Sequence, residues 1–264
     1  MKKLIGTVLM IMVILTGSQV LADTIPFYDR SIVWAGWTNP SHTPNDTWGT
    51  PDFTGGFATT SSVGGKTYLT GLSFSITDTN GLFNKLYAGD LFLDTNGDRQ
   101  WEYIVDLVQR NYDPNSDGWS KTTATLYKLG TPLSEAPPQG GNPNPYQTSF
   151  MKGYSDSNIR SGQPVAYDNF NTSDTKIGTV TFNWPSLNNS TGNALFTFKD
   201  SAAQEILWGN NFTVGWTVNC ANDMIYENIN PVPEPASMLL MGSGLIGLAG
   251  WGRKKFFKKE TVAA

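Results

Sequence analysis

An all-β fold is predicted by two observations. Apolar residues recur at every second position in several short segments, which is the period of a strand with one buried face. Charged side chains make up only 15% of the 264 residues, while Gly, Ser, Thr, Asn and Pro punctuate nearly every ten positions, the spacing of turns between strands. No fixed-period repeat or heptad occurs, which excludes a propeller and a coiled coil. The pattern is best met by one antiparallel two-sheet β-sandwich, for which jelly-roll connections are one form.

In chain order, Lys2 and Lys3 precede an apolar segment from Leu4 to Leu15, and Val20-Leu21-Ala22 sets small residues at the places a signal peptidase reads. Residues 1–22 are expected to be a signal peptide cut between Ala22 and Asp23; an uncleaved first helix is the alternative. Trp34, Trp37 and Trp48 lie among Gly, Asn, Asp and Pro, as do Trp119 and Trp208 later, outside any clean alternation. Flat aromatic faces in loops suit sugar rings, so these five are candidate ligand-binding residues, against the plainer role of plugging the ends of the core. His42 is the only histidine, so a hydrolase triad would have to be built on it.

Tyr68, Thr70, Leu72, Phe74 and Ile76 share one face of an extended segment, with Gly71, Ser73, Ser75 and Thr77 on the other. Gly89 to Leu107 reads as a hairpin: Trp101, Tyr103, Val105 and Leu107 alternate with Glu102 and Asp106, and Asp94-Thr95-Asn96-Gly97-Asp98 supplies the turn. Asp113-Pro114-Asn115-Ser116-Asp117 is a second turn of the same kind. Each places oxygen side chains at positions 1, 3 and 5, by which a tight loop points hard ligands at one calcium ion. Asp94, Asn96, Asp98, Asp113, Asn115 and Asp117 are therefore candidate metal ligands. The twelfth positions, Val105 and Ala124, cannot close an EF-hand, and the same residues are also the best turn formers.

Thr131 to Tyr146 is dense in Pro and Gly and is expected to be a long loop or crossover. Val180, Phe182 and Trp184 share a face, and Phe196 and Phe198 follow after a turn-rich stretch. Ser201 to Leu207 is the one plausible helical turn, with Asp200 as its cap. Phe212, Val214, Trp216, Val218 and Cys220 alternate most cleanly, which puts Trp216 inward and Thr217 outward. Cys220 is the only cysteine, so core packing rather than an internal disulfide must hold the domain.

The tail reads in a fixed order: Val232-Pro233-Glu234-Pro235, an apolar run from Ala236 to Gly252, then Arg253, Lys254 and Lys255 with two further lysines. The run is just long enough to span a bilayer, and the basic end would hold that side in the cytoplasm. This order resembles the PEP-CTERM sorting signal of exosortase-dependent bacterial surface proteins. The resemblance covers residues 232–259, about a tenth of the chain. It implies recognition near Pro233–Pro235 by a membrane-embedded cysteine protease, an inner-membrane anchored precursor, and then release or transfer to the surface, commonly beside exopolysaccharide. An ordinary anchor that is never cut is the alternative, although such an anchor has no need of the Pro-Glu-Pro boundary.

Between the two ends, residues 23–231 carry 11 of the 18 basic and 20 of the 22 acidic side chains, a charge of about −9. That balance speaks against nucleic acid as a partner and leaves carboxylates for a divalent cation. No nucleophile elbow, phosphate loop or Cys/His metal cluster occurs. The expectation is a non-enzymatic structural or carbohydrate-binding module. A polysaccharide-active enzyme, which needs only two carboxylates, is the alternative.

Overall fold

The computed structural model describes residues 22–30, 51–79, 81, 86, 88–107, 123–135, 150–152, 164–167, 170–209, 211–218 and 223–230. They form twelve strands: β1 (Ala22–Phe27), β2 (Asp52–Val63), β3 (Lys66–Thr77), β4 (Leu91–Asp94), β5 (Gln100–Asp106), β6 (Thr123–Ser134), β7 (Phe150–Lys152), β8 (Pro164–Tyr167), β9 (Thr175–Asn183), β10 (Thr191–Phe198), β11 (Phe212–Thr217) and β12 (Met224–Ile229). Ten of them make one sheet in the order β1-β2-β3-β10-β9-β6-β5-β4-β11-β12, and β7 and β8 pair separately. All pairings are antiparallel.

The expected two-sheet sandwich is therefore corrected. The single sheet curls until β12 comes against β1 and β2, giving a nearly closed barrel. Alternation fixes that one face is buried but is silent on whether that face meets a second sheet or its own far side. Here the inner face meets itself. Trp216 on β11 reaches across to Phe74 on β3 at 4.7 Å, Phe53 on β2 at 5.2 Å and Phe196 on β10 at 5.5 Å. Leu72, Phe74, Val105, Leu126, Val180, Phe182, Val214 and Ile225 fill the same interior.

At the seam the ladder gives way to side chains. An Asp223 oxygen accepts the Phe53 N–H, and Glu227 Oε1 accepts the Arg30 N–H at 2.6 Å. Both carboxylates are buried. A strand edge left bare inside the molecule would orphan its N–H groups, so these two acceptors take the place of ladder bonds.

A second, smaller apolar cluster lies on the outer face, where Phe92, Trp101, Ile104, Leu129, Tyr167 and Met224 pack together. Asp90 ties the Tyr167 end of β8 down, its two oxygens accepting the N–H groups of Leu107 at 2.7 Å and Tyr167 at 3.0 Å. Trp101 belongs to this outer cluster, not to the face of Tyr103, Val105 and Leu107. A register shift between Trp101 and Tyr103 breaks the period and turns the indole outward.

Three further expectations change. In β3 a shift opposite Thr59 and Thr60 skips Thr70, so Leu69 is the buried residue and Tyr68 is only half-buried. β6 runs on through Thr131–Ser134 in what reads as loop, with Leu133 paired to Trp101. The helical turn is a 3-10 turn over Ala202–Gln204 without a side-chain cap; Asp200 sits at φ 52°. Cys220 and His42 lie outside the described residues.

Candidate functional site

The β4–β5 hairpin builds the most concentrated group of ionisable side chains. Leu93 pairs with Tyr103, and one rung on the same register sets Glu102 opposite Asp94. The chain then turns through Thr95-Asn96-Gly97-Asp98-Arg99, with Gly97 at φ 75° and Arg99 at φ 66°. Gly97 is required here, because a Cβ at that position would stand 2.5 Å from the Asn211 Cβ.

Asp94 organises the turn. Its Oδ1 accepts the N–H groups of Asn96 at 3.0 Å and Gly97 at 2.7 Å, and its Oδ2 accepts that of Arg99 at 3.1 Å. Glu102 Oε2 accepts the Thr95 N–H at 2.8 Å and hydroxyl at 3.2 Å, and Oε1 accepts the Asn96 Nδ2 at 3.2 Å. Asp98 folds back on Gln100, accepting its N–H at 3.0 Å. One carboxylate oxygen from each of Asp94, Asp98 and Glu102 lies within 4.8 Å of the others.

Behind them stands Glu135, directly after β6 and 2% exposed. It accepts the Tyr226 hydroxyl, and its carboxyl abuts that of Asp94. Its Oε1 is buried without a hydrogen-bond partner. Burial pushes Glu102 up to about 7, with the Asp94 and Asp98 charges adding and the Thr95 hydrogen bonds opposing. Burial also pushes Glu135 up to about 7; the Tyr226 hydroxyl opposes this and Asp94 adds to it. Tyr226 is raised as well, by burial first and then by Glu135. Tyr226 in turn packs on the outer cluster, edge-on to Trp101 at 6.0 Å.

Of the candidate ligands read from sequence, the structure brings Asp94 and Asp98 together and gives Asn96 a bond in the turn. The Asn96 Oδ1 accepts the Asp98 N–H at 2.8 Å, the same kind of turn bond that Asp94 makes. Glu102 and Glu135 went unread. Glu102 is the ninth residue counted from Asp94, and the signal for it was the hairpin itself, whose returning strand carries position nine back to position one. Glu135 had no local signal, since 41 residues of chain separate it from Asp94.

Trp208 packs against the core. Its ring stacks on Phe212 at 4.5 Å and 27°, and its backbone N–H donates to the Thr67 carbonyl at 2.8 Å. Trp34, Trp37, Trp48, Trp119, Asp113, Asn115 and Asp117 lie outside the described residues, as do Val232, Pro233, Glu234, Pro235, Arg253, Lys254 and Lys255. At the expected signal-peptide boundary, β1 begins at Ala22, and Ile25 and Phe27 are already buried in the core. Among the described residues no helix is long and apolar enough to cross a membrane; the apolar run 236–252 is outside them.

Comparison with known proteins adds one finding at the far end of the chain: residues 231–254 match the PEP-CTERM protein-sorting motif. No curated protein and no solved structure matches the chain.

Proposed function

We propose, from the sorting motif at residues 231–254, that this chain is an exported protein delivered to the cell surface or extracellular matrix by an exosortase-type membrane protease, with the barrel as the part delivered. The observation that carries this reading is the order Pro233-Glu234-Pro235, apolar run, basic end, directly after the last strand. Replacing Pro233, Glu234 and Pro235 with alanines is expected to leave the protein in the membrane at full C-terminal length. Intact-mass measurement of the surface or released form checks it: a wild-type mature protein that still carries Trp251 and the basic cluster would overturn the sorting reading.

In its final place the barrel serves as a structural or carbohydrate-binding module. The outer face of β2, β3 and β10 supports the second role. Phe57, Ser73 and Leu195 form one cross-strand row, with Phe57 45% and Leu195 41% exposed. Beside them Ser75 bonds Asn193 at 3.0 Å and Thr77 bonds Thr191 at 3.1 Å. A face of hydroxyl and amide groups around an exposed ring, with the carboxylate of Asp52 beside Thr77 at one end, offers a sugar both stacking and hydrogen bonds. Phe57→Ala is expected to weaken retention on neutral exopolysaccharide about tenfold, the order produced by losing one aromatic contact of roughly 1–1.5 kcal/mol. Equal retention of both forms would remove this face as the binding surface.

A further inference from the structure

We infer that the β4–β5 turn is a calcium site whose ligands are the carboxylates of Asp94, Asp98 and Glu102, with Glu135 as a buried negative charge behind the ion. Three observations lead there. The first is geometric: oxygens bound to one calcium at about 2.4 Å can be at most about 4.8 Å apart, and the three carboxylate oxygens meet that limit. The set is all oxygen, which suits a hard cation and not zinc.

The second is the orphaned acceptor. Glu135 is 2% exposed, its Oε1 has no hydrogen-bond partner, and its carboxyl is pressed against Asp94. Hydrogen bonds within the turn account for Asp94, Asp98 and Glu102, whereas Glu135 has the Tyr226 hydroxyl on Oε2 alone and leaves its buried Oε1 unpaired. A buried carboxylate facing another carboxylate is costly unless a shared proton or a positive charge lies between them, and a bound cation would displace that proton. The third is the charge balance. Four carboxyl groups gather at this end of the barrel, and the positive side chain that acts on Glu135, Arg99, is itself exposed. A divalent ion supplies the missing charge. Calcium takes six to eight oxygens, so waters and turn carbonyls would complete the shell. Magnesium demands strict octahedral geometry and dehydrates reluctantly, so a site built on three carboxylates favours calcium.

The inference stands apart from the sorting reading, because binding is measured on the chain itself. Full-length protein in detergent, stripped with chelator, is titrated with calcium by calorimetry, with terbium luminescence as a second probe excited through tryptophan. One ion per chain is expected, with a dissociation constant on the order of 10⁻⁴–10⁻³ M, the range of extracellular modules. Asp98→Asn, at an exposed position where folding is not at stake, should weaken binding at least about tenfold, and Glu102→Gln likewise. Asp23→Asn, an exposed carboxylate on β1, should leave it unchanged. Magnesium at equal concentration should raise the melting temperature less than calcium does. No binding up to about 10 mM, an unchanged affinity in Asp98→Asn, or equal shifts with both ions would overturn the site and leave the turn as hairpin chemistry.

Discussion

Trp216→Ala is expected to lower the urea midpoint of unfolding by about 1–2 M and to drive aggregation. The indole is fully buried at the centre of the barrel. It contacts Phe53 of β2, Phe74 of β3, Phe182 of β9, Trp184 just beyond β9 and Phe196 of β10, so it joins β11 to four strands across the interior. Its Nε1 also donates to the Gly89 carbonyl at 3.0 Å. Truncating a buried Trp costs roughly 3–5 kcal/mol, against a total stability of about 5–15 kcal/mol for a domain. The exposed Thr179→Ala on β9 is the control and should shift the midpoint little. Equal midpoints for the two variants would mean that the barrel is not closed around Trp216. Thr217 cannot serve as that control. It does point outward, as alternation requires, but it is fully buried there, and its hydroxyl donates to the Asp223 carbonyl.

The second large effect is expected at the seam. Asp223 accepts the Phe53 N–H with one oxygen and the Met224 N–H at 2.8 Å with the other, in fully buried surroundings. Asp223→Ala strands both donors. Each buried, unsatisfied N–H costs about 1–3 kcal/mol, so a loss of roughly 2–5 kcal/mol follows. Asp223→Asn, which keeps one acceptor, should fall between. Amide hydrogen exchange gives the specific readout, since the Phe53 amide should lose protection in Asp223→Ala well before the β9–β10 amides do. Unchanged protection at Phe53 would show that the seam is held by other contacts.

The class of the fold was legible in the sequence, and its closure was not. Alternation located β3, β5, β9, β10 and β11 because each carries apolar residues at every second position, and it did so even in β11, which is buried on both faces. β2 was invisible to the same test, since its Phe53-Thr54-Gly55-Gly56 opening reads as turn. Gly56 is there because β1 and β3 close in on it: a Cβ would fall 1.8 Å from the Ser73 carbonyl oxygen. Trp101 and Leu69 were misplaced for a common reason, namely that a bulge inserts one residue and reverses the parity of everything beyond it. At the acidic turn, Asp94 and Asp98 could be read because they are neighbours in sequence. Glu102 arrives by strand register and Glu135 by tertiary packing, and neither is encoded in local spacing.

The spare carboxylates inferred from the −9 charge also have a different use from the one composition suggests. Asp78, Asp90, Asp174, Asp223 and Glu227 each accept backbone N–H groups at turns or at the seam. Much of the acidity of this chain is therefore scaffolding.

The seam also governs when the chain can fold. Its two bridging contacts join residues 170 and 197 positions apart, Phe53 with Asp223 and Arg30 with Glu227. Contacts so distant along the chain carry a large loop-closure entropy and place such topologies among the slow folders. During synthesis the inner face cannot be sealed until β11 brings Trp216 and β12 brings the two acceptors, because both belong to the last hairpin to emerge. The barrel of a nascent chain thus stays open at the seam until β12 has emerged. In a chain whose sorting motif follows at residues 231–254, the barrel is completed only shortly before the motif itself is made.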